Sequence, residues 1–176
     1  MRKLLPLLLV AVLAVPASGQ SLKGHNSKAP VDVAADRVEV QDRADRAVFV
    51  GNVRVEQAGL TLTTARLTLA YDNGGSRVDI QRIDATGGVT VSSATETAHG
   101  DIAVYDLPRK LITMVGNVTL VQGANRLSGG RLVINLDTGV ASVDGGSPPV
   151  RSSDGTITSG GGGRVTGRFT VTQRPQ

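Results

Sequence analysis

The residues that could do chemistry are few, and their spacing does not favour it. His25 and His99 are the only imidazoles, and neither has a second ligand at the intervals that usually hold zinc. Cysteine is absent, which excludes thiolate chemistry and disulfides alike. Asp36 with Asp42, and Asp101 with Asp106, are near enough in sequence to be weighed as a general acid and base. Both pairs fall at strand ends or on polar faces, with no aromatic sugar platform and no apolar pocket to push one pKa upward. Solvated carboxylates are the simpler reading. The run Gly160 to Gly163 lacks the spacing and the strand-helix context of a dinucleotide loop and reads as a linker. Asn117-Val118-Thr119 has the form of a glycosylation acceptor but lies inside an expected strand. No nucleophile elbow, phosphate loop or zinc-protease motif occurs. The expectation is a protein without catalytic groups, cofactor or metal.

What the sequence offers instead is aliphatic alternation. Val31/Val33, Val38/Val40, Val53/Val55, Leu60/Leu62, Leu67/Leu69, Val89/Val91, Ile102/Val104, Val118/Leu120 and Ile134/Leu136 are apolar pairs two apart, separated mostly by polar or small residues. A period of two means strands with one apolar and one polar face. Turn chemistry punctuates them at Asn73-Gly74-Gly75, Gly87-Gly88, Gln122-Gly123-Ala124-Asn125 and Gly145-Gly146-Ser147-Pro148-Pro149. No amphipathic helix is expected, so the fold class is all-β.

Residues 35–72 align without gaps on residues 100–137, an offset of 65. Asp36/Asp101, Val50/Val115, Gly51/Gly116, Asn52/Asn117, Val53/Val118, Gln57/Gln122, Leu62/Leu127, Arg66/Arg131, Leu67/Leu132 and Asp72/Asp137 coincide. Repetition of this sort is what stacked β units produce when neighbours bury each other's apolar faces. In each copy the apolar phase slips at Gly-Asn, which a bulge or a tight turn would absorb; the bulge is the favoured reading, because a bend within a long strand curls a sheet.

The ends of the chain read differently. Arg2 and Lys3, the apolar run Leu4 to Val15 and the small residues up to Gly19 have the layout of a secretory signal peptide. That run is much shorter than the roughly 20 residues a spanning helix needs. Residues 20–29 read as a flexible leader, 30–144 as one domain, and 145–176 as a Gly/Pro/Ser-rich tail with a terminal strand at 164–172. Between residues 20 and 144 there are 13 basic and 14 acidic side chains. The only aromatics are Phe49, Tyr71, Tyr105 and Phe169, too few to serve as stacking platforms, so a nucleic-acid partner is not expected.

Val48 to Gly59, followed by Leu60 to Leu67, resembles the OstA-like family, and Met114 to Gly123 repeats the pattern of a β-branched pair, Gly-Asn-Val, alternation and Gln-Gly. Ala29 to Val33 followed by Ala35-Asp36 is similar to the family's first strand. The likeness spans residues 29–144. It implies an open β-jelly roll whose apolar groove shelters the lipid A acyl chains of lipopolysaccharide. It also implies a periplasmic location and edge strands that join an inner-membrane extraction complex to an outer-membrane translocon, with copies associating head to tail as a homo-oligomer. By position Val31, Val33, Val40, Phe49 and Tyr105 match groove residues of the family. Alternation alone adds Val91, Met114, Val118, Leu132 and Ile134 as lipid-binding candidates, and Val40 and Val118 are both expected to be buried. Two other readings fit the same residues, a ligand-free structural or adhesin-like β-repeat protein and the family's membrane-anchored member.

Overall fold

The computed structural model describes residues 25–73, 78–146, 150–151, 157–158 and 163–169; the expected signal peptide lies outside them. Twelve strands occur among these residues: β1 Asp32–Ala34, β2 Arg37–Gln41, β3 Arg46–Gln57, β4 Leu60–Asp72, β5 Asp79–Ser92, β6 Glu96–Asp106, β7 Leu111–Gln122, β8 Asn125–Asn135, β9 Val140–Asp144, β10 Val150–Arg151, β11 Ile157–Thr158 and β12 Thr166–Arg168. The helical content among the described residues is one 3₁₀ turn, Asp42–Ala44.

Strands β3 to β8 form an antiparallel meander, and each edge of the sheet is shared by two short strands. On one edge β1 pairs with the end of β3 and β2 with its beginning. On the other, β12 pairs with the first half of β8 and β9 with the second. The sheet does not close on itself. The β10–β11 hairpin forms a separate two-stranded sheet between β9 and β12 in the chain.

The meander is bent along a line of bulges. Val50 pairs with Arg66 and Val53 with Thr64, so Gly51 and Asn52 together face Ala65. Gly87 and Gly88 face Asp101 in the same way, and Gly116 and Asn117 face Gly130. All six residues in these bulges have positive φ, from 44° to 90°. The bulge is therefore the device behind the phase slip at Gly-Asn, and it recurs on alternate strands so that every long strand bends at one level. A carboxylate braces two of the three. The Asn52 amide donates to Asp36 Oδ2 at 2.9 Å, and the Asn117 amide donates to Asp101 Oδ2 at 2.8 Å.

The bend folds two halves of the sheet face to face. One half carries Val55, Leu62, Val91, Ala98 and Leu120 inward, and the other carries Leu67, Ile83, Tyr105, Ile112, Met114, Leu132 and Ile134. All belong to a single buried cluster. The result is an open β-jelly roll with an apolar interior.

Gly116 has no room for a side chain, because an added Cβ would collide with the Asp101 carboxylate and the backbone is left-handed. Gly116→Ala is expected to lower stability by about 2 kcal/mol. Gly146→Ala, at a glycine with open space around it, should change it little. Urea unfolding of the two variants beside the parent checks both.

Candidate functional site

The interior between the two halves is the site to consider, and its lining is almost wholly aliphatic. Of the ten lipid-binding candidates, Val91, Tyr105, Met114, Val118, Leu132 and Ile134 are buried in the one cluster. Val31, Val33 and Phe49 are partly buried and pack against it. Val40 does not join them. It pairs with buried Ala47 across β2 and β3, so its parity is inward, yet it is 60% exposed. This corrects the expectation that Val40 is buried: β2 lies on the sheet edge, where no facing residue covers it. Leu60, Leu62, Leu67, Ile83, Ile112 and Leu120 are also buried in this interior. Several of them were visible as alternating pairs but were not assigned to the groove.

The interior is closed on itself. One cavity between the halves, lined by Val31, Val55, Gln57, Leu60, Leu62, Ile83, Tyr105 and Ile112, measures about 20 Å³. Another, lined mainly by Leu60, Val91, Ala98, Leu120 and Ile134, measures about 10 Å³. A single water needs roughly 10–15 Å³ measured in this way, so neither cavity holds an alkyl chain until the halves part. A wider cavity of about 730 Å³ opens at the mouth, between Ser27 to Val31 on one side and Val78 to Ile80 with Leu107 to Lys110 on the other.

One polar group spans the two halves near that mouth. Gln57 is 3% exposed and its amide is used completely. Its Nε2 donates to the carbonyls of Ser27 and Ala29 at 3.1 and 3.0 Å, while its Oε1 accepts the Tyr105 hydroxyl at 3.1 Å and contacts His25 Nε2 at 3.1 Å. Residues 25–29, expected as a flexible leader, are thereby tied across the opening. Sequence reasoning marked Gln57 only as a repeat coincidence with Gln122. The repeat does not carry the role, for Gln122 is exposed and bonds Glu96 at 2.7 Å. Burial pushes the Tyr105 phenol above the usual tyrosine range, with Lys110 acting in the opposite direction.

The residues first weighed for chemistry are occupied otherwise. Asp36 and Asp101 brace bulges, Asp106 accepts the Arg109 amide at 3.0 Å, and His99 Nδ1 lies 3.0 Å from the Thr90 hydroxyl on the outer face. Among the described residues no three of His, Cys, Asp and Glu cluster to hold a metal, and no helix is long and apolar enough to cross a membrane.

Fold and lining together define an unclosed jelly-roll protein that encloses an aliphatic slot. The chain belongs to the LptA/(LptD N-terminal domain) LPS transport protein family, whose model matches residues 32–140. It is 34% identical over 131 residues to an uncharacterized protein of Rhizobium meliloti (strain 1021), covering 71% of this chain and 70% of that one. Its fold is similar to that of LptH, the LptA-homologous periplasmic component of the lipopolysaccharide transport device of Pseudomonas aeruginosa. That match has a TM-score of 0.66 at 19% identity and covers 82% of this chain and 98% of the other.

Val118 is 1% exposed, so Val118→Asp, which buries an unpaired carboxylate, should lower stability by on the order of 3 kcal/mol or more. Val40→Asp should stay within about 0.5 kcal/mol of the parent. Thermal unfolding separates the two. Because the folded pKa of Tyr105 is raised, its contribution to stability is complete below about pH 10, the unfolded value, and is lost as pH rises through the folded value. A Tyr105→Phe variant should show a smaller alkaline loss in unfolding titrations from pH 9 to 12.

Proposed function

We propose that this protein is a periplasmic carrier of lipopolysaccharide that takes lipid A acyl chains between the two halves of its bent sheet. The observation that carries this reading is the continuous aliphatic inner face, present in a chain of a lipopolysaccharide-transport family. Aliphatic walls accept many packings of flexible chains, whereas aromatic pockets select one shape. Each methylene moved out of water is worth about 0.8 kcal/mol, so the halves can exchange contacts with each other for contacts with a lipid at little net change. Apolar contacts and the Gln57 bonds hold them together, and both re-form after the lipid leaves. The role is transport without chemistry on the ligand, in a chain exported by a cleaved leader.

On this reading the sheet edges are the contact surfaces. β1 and β2 form one edge and β9 and β12 the other, and their free backbone groups suit pairing with another chain. Head-to-tail pairing would align successive interiors into one apolar path between an inner-membrane extraction complex and an outer-membrane translocon. Such an interface is heterologous and need not close. Light scattering over a concentration series should therefore give a ladder of sizes; a strict monomer throughout would leave bridging to other partners.

Photo-crosslinking side chains at Val31, Phe49, Val91 and Tyr105 should capture lipopolysaccharide, while Thr61 and Thr68 on the outer face should not. Equal capture by both sets would put the lipid elsewhere, and no capture by either would favour a ligand-free β-repeat protein. The mature N-terminus, once sequenced, separates an exported carrier from a membrane-anchored relative.

A further inference from the structure

Strand β12 creates a cluster on the outer face that the interior does not use. It pairs with β8 so that Thr166 stands opposite Ser128, Gly167 opposite Leu127 and Arg168 opposite Arg126. Leu127 packs against the core, so by alternation Arg126, Ser128, Thr166 and Arg168 point outward together. Two arginines and two hydroxyls thus share one face of the ladder, on rungs separated by the inward Gly167/Leu127 pair. They line a concavity of about 720 Å³ together with Ala124 and Gly167.

Like charges placed directly opposite each other on neighbouring strands are unfavourable. Among the described residues neither Arg126 nor Arg168 takes part in an ion pair. The residues beside them on the same face of β7 are Thr119 and Val121, and the next on β6 are His99 and Thr97. Further along this face of β6 the next outward residue after His99 is Asp101, whose carboxylate is bonded to Asn117, and no carboxylate lines the concavity. An anion bound between the two guanidinium groups would make the arrangement favourable.

From this geometry we infer that Arg126 and Arg168, with Ser128 and Thr166, form a binding site for a phosphomonoester. Directly opposed residues have Cβ atoms about 4.5–5.5 Å apart, which lets two guanidinium forks converge on one group. A phosphomonoester carries close to two negative charges and three terminal oxygens. It can accept a bidentate pair from each arginine and further hydrogen bonds from the hydroxyls two rungs along on the same face. A carboxylate has one charge and two oxygens for the same four donors. A nucleic-acid strand would want an aromatic platform for its bases, and no aromatic residue lines the concavity. The strand that supplies Arg168 lies beyond the residues matched to the family model. The inference holds whether or not the interior takes acyl chains.

Titration calorimetry of the full chain tests it, in an amine buffer at constant ionic strength, with inorganic phosphate in one arm. The other arm uses a short-chain phosphatidic acid below its micelle concentration, with phosphatidylcholine of the same chains as control. Saturable binding is expected, weakened at least about tenfold by Arg126→Gln or Arg168→Gln and to a smaller degree by Arg168→Lys, which keeps the charge but loses the fork. Both glutamine variants should fold, with phosphate-free melting temperatures equal to or above the parent's because the repulsion is gone. Binding of inorganic phosphate marks a site for the free ion. Arginine-dependent binding of phosphatidic acid alone marks a lipid headgroup site. Affinities that ignore both substitutions, or no saturable binding of either probe, would overturn the inference.

Discussion

A strand of eleven to fourteen residues, as β3 to β8 all are, cannot double back on its own sheet unless residues leave the ladder where it bends. In this protein the residues that leave are Gly51-Asn52, Gly87-Gly88 and Gly116-Asn117, all left-handed and all at one level of the meander. The rest of the structure depends on that alignment. Without helices among the described residues to cover its apolar face, the sheet can bury that face only against itself. The bend is what makes this geometrically available. Asp36 and Asp101 hold it by binding the Asn side chains of two bulges, and the same carboxylates leave no space for a side chain at Gly51 or Gly116.

The interior formed in this way has two properties that bear on function. Its lining is aliphatic, so it is held by contacts that are individually weak and have no fixed direction. Its empty spaces are close to the size of single waters. A slot that is apolar, filled and backed by a line of bulges is suited to opening along its mouth, with the bend as the proposed hinge. On the proposed reading Gln57 would set the threshold for that motion. It joins the two halves through Tyr105 and ties Ser27 and Ala29 across the opening, so parting the halves must break or move a fully satisfied buried amide.

Much of this was legible in the sequence. Alternation marked the long strands, and the Gly-Asn phase slip marked two of the three bulges, whereas Gly87-Gly88, expected as a turn, is the third and lies inside β5. Val40 shows where the method stops. Periodicity assigns a residue to a face, but burial also requires something opposite, and the edge position of β2 is a property of the whole sheet. Gln57 was hidden for a related reason, since a polar residue continuing the phase of Val53 and Val55 looks like a strand end, and its partners lie 28 to 48 residues away. The pairing of Arg126 with Arg168 could not be read at all. It arises because β12 returns to β8 after the β10–β11 excursion, and no local pattern encodes that register.

The central claim is that the two halves part to admit acyl chains, and a distance across the mouth tests it most directly. The chain has no cysteine of its own, so spin labels can be placed cleanly at Ala94→Cys in the β5–β6 turn and Arg109→Cys in the β6–β7 turn, both exposed. Pulsed electron paramagnetic resonance on this doubly labelled protein, with and without lipid A, reads the separation of the halves. The account predicts a longer distance when lipid A is bound, returning to the original value when the lipid is extracted. An unchanged distance under conditions where lipid A is demonstrably bound would contradict it, because the interior as it stands has no room for an acyl chain.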